Sequence, residues 1–205
     1  MFTGLVTDVG RVARVEDTGG IRRFGVETGW NLDGLDIGAS VMHSGVCLTV
    51  TAKADGLFFV EAVPETLSRT TLGDWQEGAA VNLERSLKLG DELGGHFVFG
   101  HVDGLGDIVS VTPEGESHRL RVRPPASLTR FIAEKGSIAV DGVSLTVAAT
   151  HDNGDFDLAI IPHTWDVTTL REAAPGRRVN LEIDMLARYV ARMVGHSAGE
   201  AGSHG

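Results

Sequence analysis

Ser40-Val41-Met42-His43-Ser44-Gly45-Val46-Cys47-Leu48-Thr49-Val50 reappears 97 residues later as Ser137-Ile138-Ala139-Val140-Asp141-Gly142-Val143-Ser144-Leu145-Thr146-Val147. Working outward, the match continues on both sides. Pro64-Glu65-Thr66 through Thr70-Thr71-Leu72 returns as Pro162-His163-Thr164 through Thr168-Thr169-Leu170, and Gly78-Ala79-Ala80-Val81-Asn82-Leu83-Glu84 returns as Gly176-Arg177-Arg178-Val179-Asn180-Leu181-Glu182. At the start, Gly4-Leu5-Val6 with Gly10 aligns with Gly100-His101-Val102 and Gly106. Four blocks in constant order fix a duplication whose period is too long for a solenoid unit and fits two small domains. The boundary falls near Leu89-Gly90-Asp91-Glu92-Leu93-Gly94-Gly95. It predicts an N-terminal barrel over 1–95, a C-terminal barrel over 96–184, and an oligomerisation helix with a flexible tail over 185–205.

The fold class follows from how the repeat is written. The 205 residues include 27 glycines, roughly twice the usual share, dispersed among short β-branched runs such as Phe24 to Glu27, Leu57 to Val63 and Ala80 to Glu84. About six such runs fall in each half, with Asp55-Gly56 and Asn153-Gly154 as hairpin signals. The expected fold is all-β: two tandem six-stranded antiparallel Greek-key-like barrels. Two helices are predicted. Pro124-Pro125 followed by Ala126 to Lys135, with Leu128, Phe131 and Ile132 on one face and Gly136 beyond, reads as a short helix. From Asp184 onward, Leu186, Tyr189, Val190, Met193 and Val194 form one apolar stripe outside both repeats, suited to a partner subunit or to the seam between barrels. Gly195 to Gly205 reads as an untethered tail.

Composition excludes several classes. The net charge is −10 with no basic run, so the chain lacks the Lys/Arg density that grips phosphate backbones, and no nucleic-acid partner is expected. No apolar stretch reaches the ~18 residues needed to cross a bilayer, and no basic-then-apolar leader opens the chain. No membrane association is expected, and the expected location is cytoplasmic. A single cysteine, Cys47, rules out an internal disulfide or a multi-thiolate metal site. His96 and His101 lie five positions apart, on opposite faces of an extended segment unless Gly100 forms a bulge, and no third ligand offers itself, so no metal is expected. His43, His118, His151, His196 and His204 read as surface or capping residues.

Strand alternation locates the chemistry. Val46, Leu48 and Val50 point one way and Cys47 and Thr49 the other; Val143, Leu145 and Val147 oppose Ser144 and Thr146 in the second copy. A small barrel is filled by its own side chains, so the polar sets lie outside, and a ligand must bind on an outer wall or between two barrels. Thr is a good strand former on any exposed face; finding the same polar pair twice favours two similar ligand sites.

These residues resemble a known family. Met1-Phe2-Thr3-Gly4-Leu5-Val6, the paired Gly-Val-Cys-Leu-Thr-Val and Gly-Val-Ser-Leu-Thr-Val blocks, Gly94-Gly95-His96 with Gly100-His101, and the duplicated Leu-x5-Gly-x-x-Val-Asn-Leu-Glu are similar to riboflavin synthases of alpha-chain type, the lumazine-binding repeat family, over residues 1 to about 190. The resemblance implies dismutation of two molecules of 6,7-dimethyl-8-ribityllumazine to riboflavin and 5-amino-6-ribitylaminouracil, with no metal or redox cofactor. It also implies a homotrimer held by C-terminal helices, with the site between the N-terminal barrel of one subunit and the C-terminal barrel of the next. Lumazine synthase is left open as a further partner.

Carried over by position, one lumazine site uses Gly4, Leu5, Val6, Cys47, Leu48, Thr49 and the run Glu61-Ala62-Val63-Pro64-Glu65-Thr66. The other uses Gly100, His101, Val102, Ser144, Leu145, Thr146 and Ile160-Ile161-Pro162-His163-Thr164-Trp165, with Lys135 reaching across. Catalysis should reside where the copies differ: Leu5 becomes His101, Ile37 becomes Lys135, Ser44 becomes Asp141 and Cys47 becomes Ser144. His101 is expected to move protons or activate the nucleophile, and Ser144 to activate or supply it. Asp141 and Lys135 are expected to orient groups or shuttle protons, Cys47 to contact the other lumazine, and His96 to support this end of the site. His163 and Trp165 depart from the Glu and Leu that the family often carries there, whereas Glu65 keeps the acid. Two other classes compete: a lumazine or flavin carrier without chemistry, which would lose the polar set in one barrel, and a reductase flavin barrel, which would occur once before a nucleotide-binding domain.

Overall fold

The computed structural model describes residues 1–200, with side chains through Val194. The first barrel comprises β1 (Asp8–Thr18), β2 (Ile21–Glu27), β3 (Ser40–His43), β4 (Val46–Ala54), β5 (Leu57–Ala62) and β6 (Ala80–Arg85), with the short helix α1 (Pro64–Arg69) between β5 and β6. The second comprises β7 (Gly104–Glu114), β8 (Ser117–Arg123), β9 (Ser137–Val140), β10 (Val143–Thr150), β11 (Phe156–Ile160) and β12 (Arg178–Ile183), with α2 (Pro162–Asp166) in the equivalent place. Both close in the same antiparallel order, β1-β2-β5-β4-β3-β6 and its counterpart β7-β8-β11-β10-β9-β12.

Closure has a repeated local cause. Register shifts lie between Val12 and Arg14 on β1 and between Ile108 and Ser110 on β7. Others lie between Val50 and Ala52 on β4 and between Val147 and Ala149 on β10. Such bulges add twist and bend a sheet toward itself. Asp55 (φ 54) and Gly56 (φ 78) form the two-residue hairpin expected of an Asp-Gly pair. Around Asn153-Gly154 only Gly154 is left-handed, and a longer loop from His151 to Asp155 joins β10 to β11, because the Asn153 side chain accepts the Asp155 N–H.

Each barrel has its own core, centred on Phe24, Phe58, Leu72 and Leu83 in the first and on Phe156, Leu158, Leu170 and Leu181 in the second. Val46, Leu48 and Val50 belong to the first core and Val143, Leu145 and Val147 to the second, as alternation required. A third cluster, Phe2, Met42, Val98 and Ala139, seals the seam between barrels.

Three sequence expectations are corrected. Residues 126–135 form no α-helix: a single 3-10 turn spans Thr129–Phe131, and Lys135 sits at φ 66 with its N–H on the Val147 carbonyl. His43 is no surface residue. It is fully buried with Nδ1 3.0 Å from the Val41 oxygen, and burial pushes its pKa down to about 4, so the ring is neutral at pH 7. The C-terminal helix, α3 (Met185–Glu200), runs into the stretch expected to be tail; residues 201–205, and with them His204, lie outside the described residues, as does the His196 side chain.

Candidate active site

The outer wall of each barrel is made by the polar face of its duplicated strand. Cys47 is half-buried and Thr49 exposed on β4; Ser144 is half-buried and Thr146 exposed on β10. What faces them reverses the grouping expected by position. The Cys47 N–H donates to the Gly100 carbonyl at 2.9 Å and the Ser144 N–H to the Gly4 carbonyl at 2.8 Å. Val102 packs against the first core and Val6 against the second. The segments preceding the barrels are therefore exchanged. Gly4-Leu5-Val6 joins the Ser144 wall, and Gly100-His101-Val102 joins the Cys47 wall. Gly4 and Gly100 share φ 75, and a Cβ on either would stand 2.5 Å from the Cβ of Ser144 or Cys47, so only glycine permits the approach.

His96 and Ser144 are brought together. His96 Nδ1 lies 2.7 Å from Ser144 Oγ. Burial holds the His96 pKa below its ordinary value, with Asp184 pulling weakly the other way. The neutral ring can accept the Ser144 hydroxyl proton, which is the arrangement that activates a hydroxyl nucleophile. His101 is exposed, belongs to the opposite wall and makes a tilted ring contact with Phe99 at 6.2 Å.

Asp141 does not reach a wall. It is 2% exposed, with Oδ1 accepting the Asn180 N–H at 2.8 Å and Oδ2 facing Arg177 at 3.3 Å. Burial pushes its pKa to about 6 against the pull of Arg177 and that N–H. It stands on the tip of the β9–β10 turn, where the first copy has Ser44, and the two tips abut at the barrel junction. There Asn82 donates to the Asp141 carbonyl at 2.9 Å and accepts from the Thr169 N–H at 2.8 Å. Asn180 does the same with the Ser44 carbonyl at 2.7 Å and the Thr71 N–H at 2.9 Å. Of the three residues expected to serve one site, His101 thus stands at the Cys47 wall, Lys135 on an exposed turn and Asp141 at the barrel junction.

Beyond the strands, each wall ends in a short helix. Ala62 and Ile160 are buried anchors; Glu61, Val63, Pro64 and Glu65 are exposed before α1 and within it, as are Ile161, Pro162 and His163 at α2. Thr66 and Thr164 are half-buried, and their carbonyls accept the hydroxyls of Thr70 and Thr168 at 2.7 Å. Glu65 pairs with Arg69 one turn on. Trp165 stacks on His118 with ring centroids 3.8 Å apart and planes 7° from parallel, a contact absent from the first barrel, where Leu67 and Arg22 hold those positions.

Two functional-looking carboxylates escaped the sequence reading. Glu84 accepts from the Thr3 N–H, the Thr3 hydroxyl and the Gly4 N–H at 2.7, 2.7 and 3.0 Å. Glu182 accepts from the N–H groups of Phe99, Gly100 and His101 at 2.6, 2.8 and 3.0 Å. Burial raises the pKa of both, Glu182 to about 7, against the pull of those donors. Each backs a recess, of about 480 Å³ beside Thr3 and Leu5 and about 270 Å³ beside Phe99 and His101. The signal was available: Asn82 and Glu84 alternate with apolar Val81 and Leu83, and both polar residues recur in the second copy.

On α3, Leu186, Tyr189, Val190 and Met193 are all more than half exposed. Among the described residues no helix is long and apolar enough to cross a membrane, and no group of three or more His, Cys, Asp or Glu is placed to hold a metal ion.

Comparison with known proteins gives a consistent picture. The lumazine binding domain matches twice, over residues 3–86 and 99–184. The riboflavin synthase of Brucella abortus (strain 2308) is 49% identical, the alignment covering 94% of this chain and 98% of that protein. The riboflavin synthase of Bacillus subtilis (strain 168) is 36% identical over 98% of this chain and 92% of that protein. Among solved structures, LumP complexed with 6,7-dimethyl-8-(1'-D-ribityl)lumazine shares the fold with a TM-score of 0.79 at 21% identity, covering 89% of this chain and 99% of that one.

Proposed function

The chain belongs to the riboflavin synthase family of duplicated lumazine-binding domains, and from that premise we propose that it converts two molecules of 6,7-dimethyl-8-ribityllumazine into riboflavin and 5-amino-6-ribitylaminouracil. A four-carbon unit leaves one molecule and joins the other, so the exchange balances within the substrate pair. The observation that carries this reading is the pair of repeat-related walls, Cys47 with Thr49 and Ser144 with Thr146, each completed by a glycine carbonyl from an exchanged segment. Backbone amides and hydroxyls along such a wall suit the uracil-like edge and ribityl chain of a lumazine.

The demands on the protein are modest. The 7-methyl group of the substrate is already acidic, because its carbanion delocalises into the ring. Orientation of two bound rings contributes about 7–11 kcal/mol of barrier reduction. Ser144, polarised by His96, adds to C7 of one lumazine or delivers water to it, and His101 at the other wall moves the methyl proton. Asp141 acts as a positioning residue for the turn that leads into Ser144. Lys135, on an exposed turn, is assigned to the facing subunit's lumazine. The two walls meet between subunits, the N-terminal barrel of one against the C-terminal barrel of the next, in a homotrimer assembled through α3.

Purified protein incubated with the lumazine tests the proposal. The expected result is one riboflavin formed per two lumazines consumed; lumazine bound without riboflavin formation would assign a carrier instead.

A further inference from the structure

Glu84 lies in the first barrel and Glu182 in the second, yet each is bonded to a segment that completes the other barrel's wall. Glu182, on β12, accepts three consecutive N–H groups from Phe99 to His101. The carbonyl of Gly100, in the middle of that clamp, takes the Cys47 N–H on β4 of the first barrel. Glu84, on β6, accepts from Thr3 and Gly4, and the Gly4 carbonyl takes the Ser144 N–H on β10 of the second barrel. The Glu84 side has one more link: the Thr3 carbonyl accepts the His96 N–H at 3.2 Å, and His96 holds Ser144. We infer that Glu84 and Glu182 are crossed positioning residues: Glu182 sets the Cys47 wall and the place of His101, and Glu84 sets the Ser144 wall and the His96–Ser144 pair.

The physical ground is the charge and count of the donors. Above the pKa of about 7 to which burial raises Glu182, its carboxylate holds three backbone N–H groups and fixes three consecutive residues at once, and bonds to a charged acceptor are stronger than neutral ones. Gln keeps one acceptor oxygen and turns an NH2 toward donors, so Glu→Gln releases the segment while preserving side-chain volume. Glu182 is faced by Asp103, itself paired with Arg188 of α3, and by the three amides. No other clamp for the Phe99–His101 amides is present among the described residues.

As a function this inference rests on the lumazine reading; as geometry it does not, and the test separates the two. Cys47 is the single cysteine of the chain, so the rate at which a thiol reagent such as dithionitrobenzoate modifies the folded protein reports on the first wall alone. Glu182→Gln, whose substitution lies in the second barrel, is expected to speed Cys47 modification by about fivefold or more. Glu84→Gln, in the same barrel as Cys47, is expected to leave it within about twofold of the parent while lowering kcat. Equal acceleration in both variants, or acceleration by Glu84→Gln alone, overturns the crossed assignment. Should Glu182→Gln melt below the labelling temperature, Glu182→Asp against Glu84→Asp must give the same order. Separately, the lumazine is expected to protect Cys47 in the parent protein; no protection would defeat the proposed function and leave the clamp intact.

Discussion

Ser144 and Cys47 hold the same strand position in the two copies, and only Ser144 has an imidazole on its side chain. His96 Nδ1 at 2.7 Å from Oγ makes the two residues one unit. Ser144→Ala and His96→Ala are each expected to lower kcat by about 100-fold, and the double variant to be little worse than either single one. Multiplying losses would show that the two act separately. Because burial keeps His96 neutral below its ordinary pKa of about 6.5, the activated hydroxyl should persist as pH falls through that value, with the His96-dependent part of the rate lost only at lower pH. At this scale the polar identities of Cys47, Thr49, Ser144 and Thr146 were readable from alternation alone. Their partners were not: a shift of about one repeat pairs Gly4 with Cys47 and Gly100 with Ser144, and nothing in the letters says that the segments cross over.

Among the elements, α3 carries an apolar stripe that belongs to neither barrel core. Leu186, Tyr189 and Val190 on it are more than half exposed. Sedimentation equilibrium is expected to give an assembly several times the 21.7 kDa chain mass. Val190→Asp should shift it toward the monomer while leaving the barrel melting transition in place, since the residue contributes to neither core. A monomeric parent protein would remove α3 as an assembly element. The stripe was legible because helical periodicity needs only local sequence. The stretch from 126 to 135 misled for the same reason: Leu128, Phe131 and Ile132 are spaced for a helix, but they fill one end of the second barrel from a 3-10 turn. The first copy carried the correction, since the equivalent stretch around Asn31-Leu32-Asp33-Gly34 is plainly a turn and forms one.

At the scale of the whole molecule the duplication dominates. The repeat made two similar barrels legible in the sequence, and both close in one strand order. The junction was illegible because it is built from polar residues that local patterns treat as ordinary strand and turn positions. Asn82 and Asn180 reach across to backbone groups of the other barrel, and Glu84 and Glu182 hold the exchanged segments. The central claim is that unlike walls of neighbouring subunits form one site. Thr49 and Thr146 are exposed at the centres of the two walls, so Thr49→Arg blocks one wall and Thr146→Arg the other without entering a core. The decisive measurement is riboflavin formation by the two variants alone and after co-expression. Each alone should be inactive and the mixed assembly active, because some interfaces then pair two unblocked walls; if co-expression restores nothing, the walls do not meet between subunits.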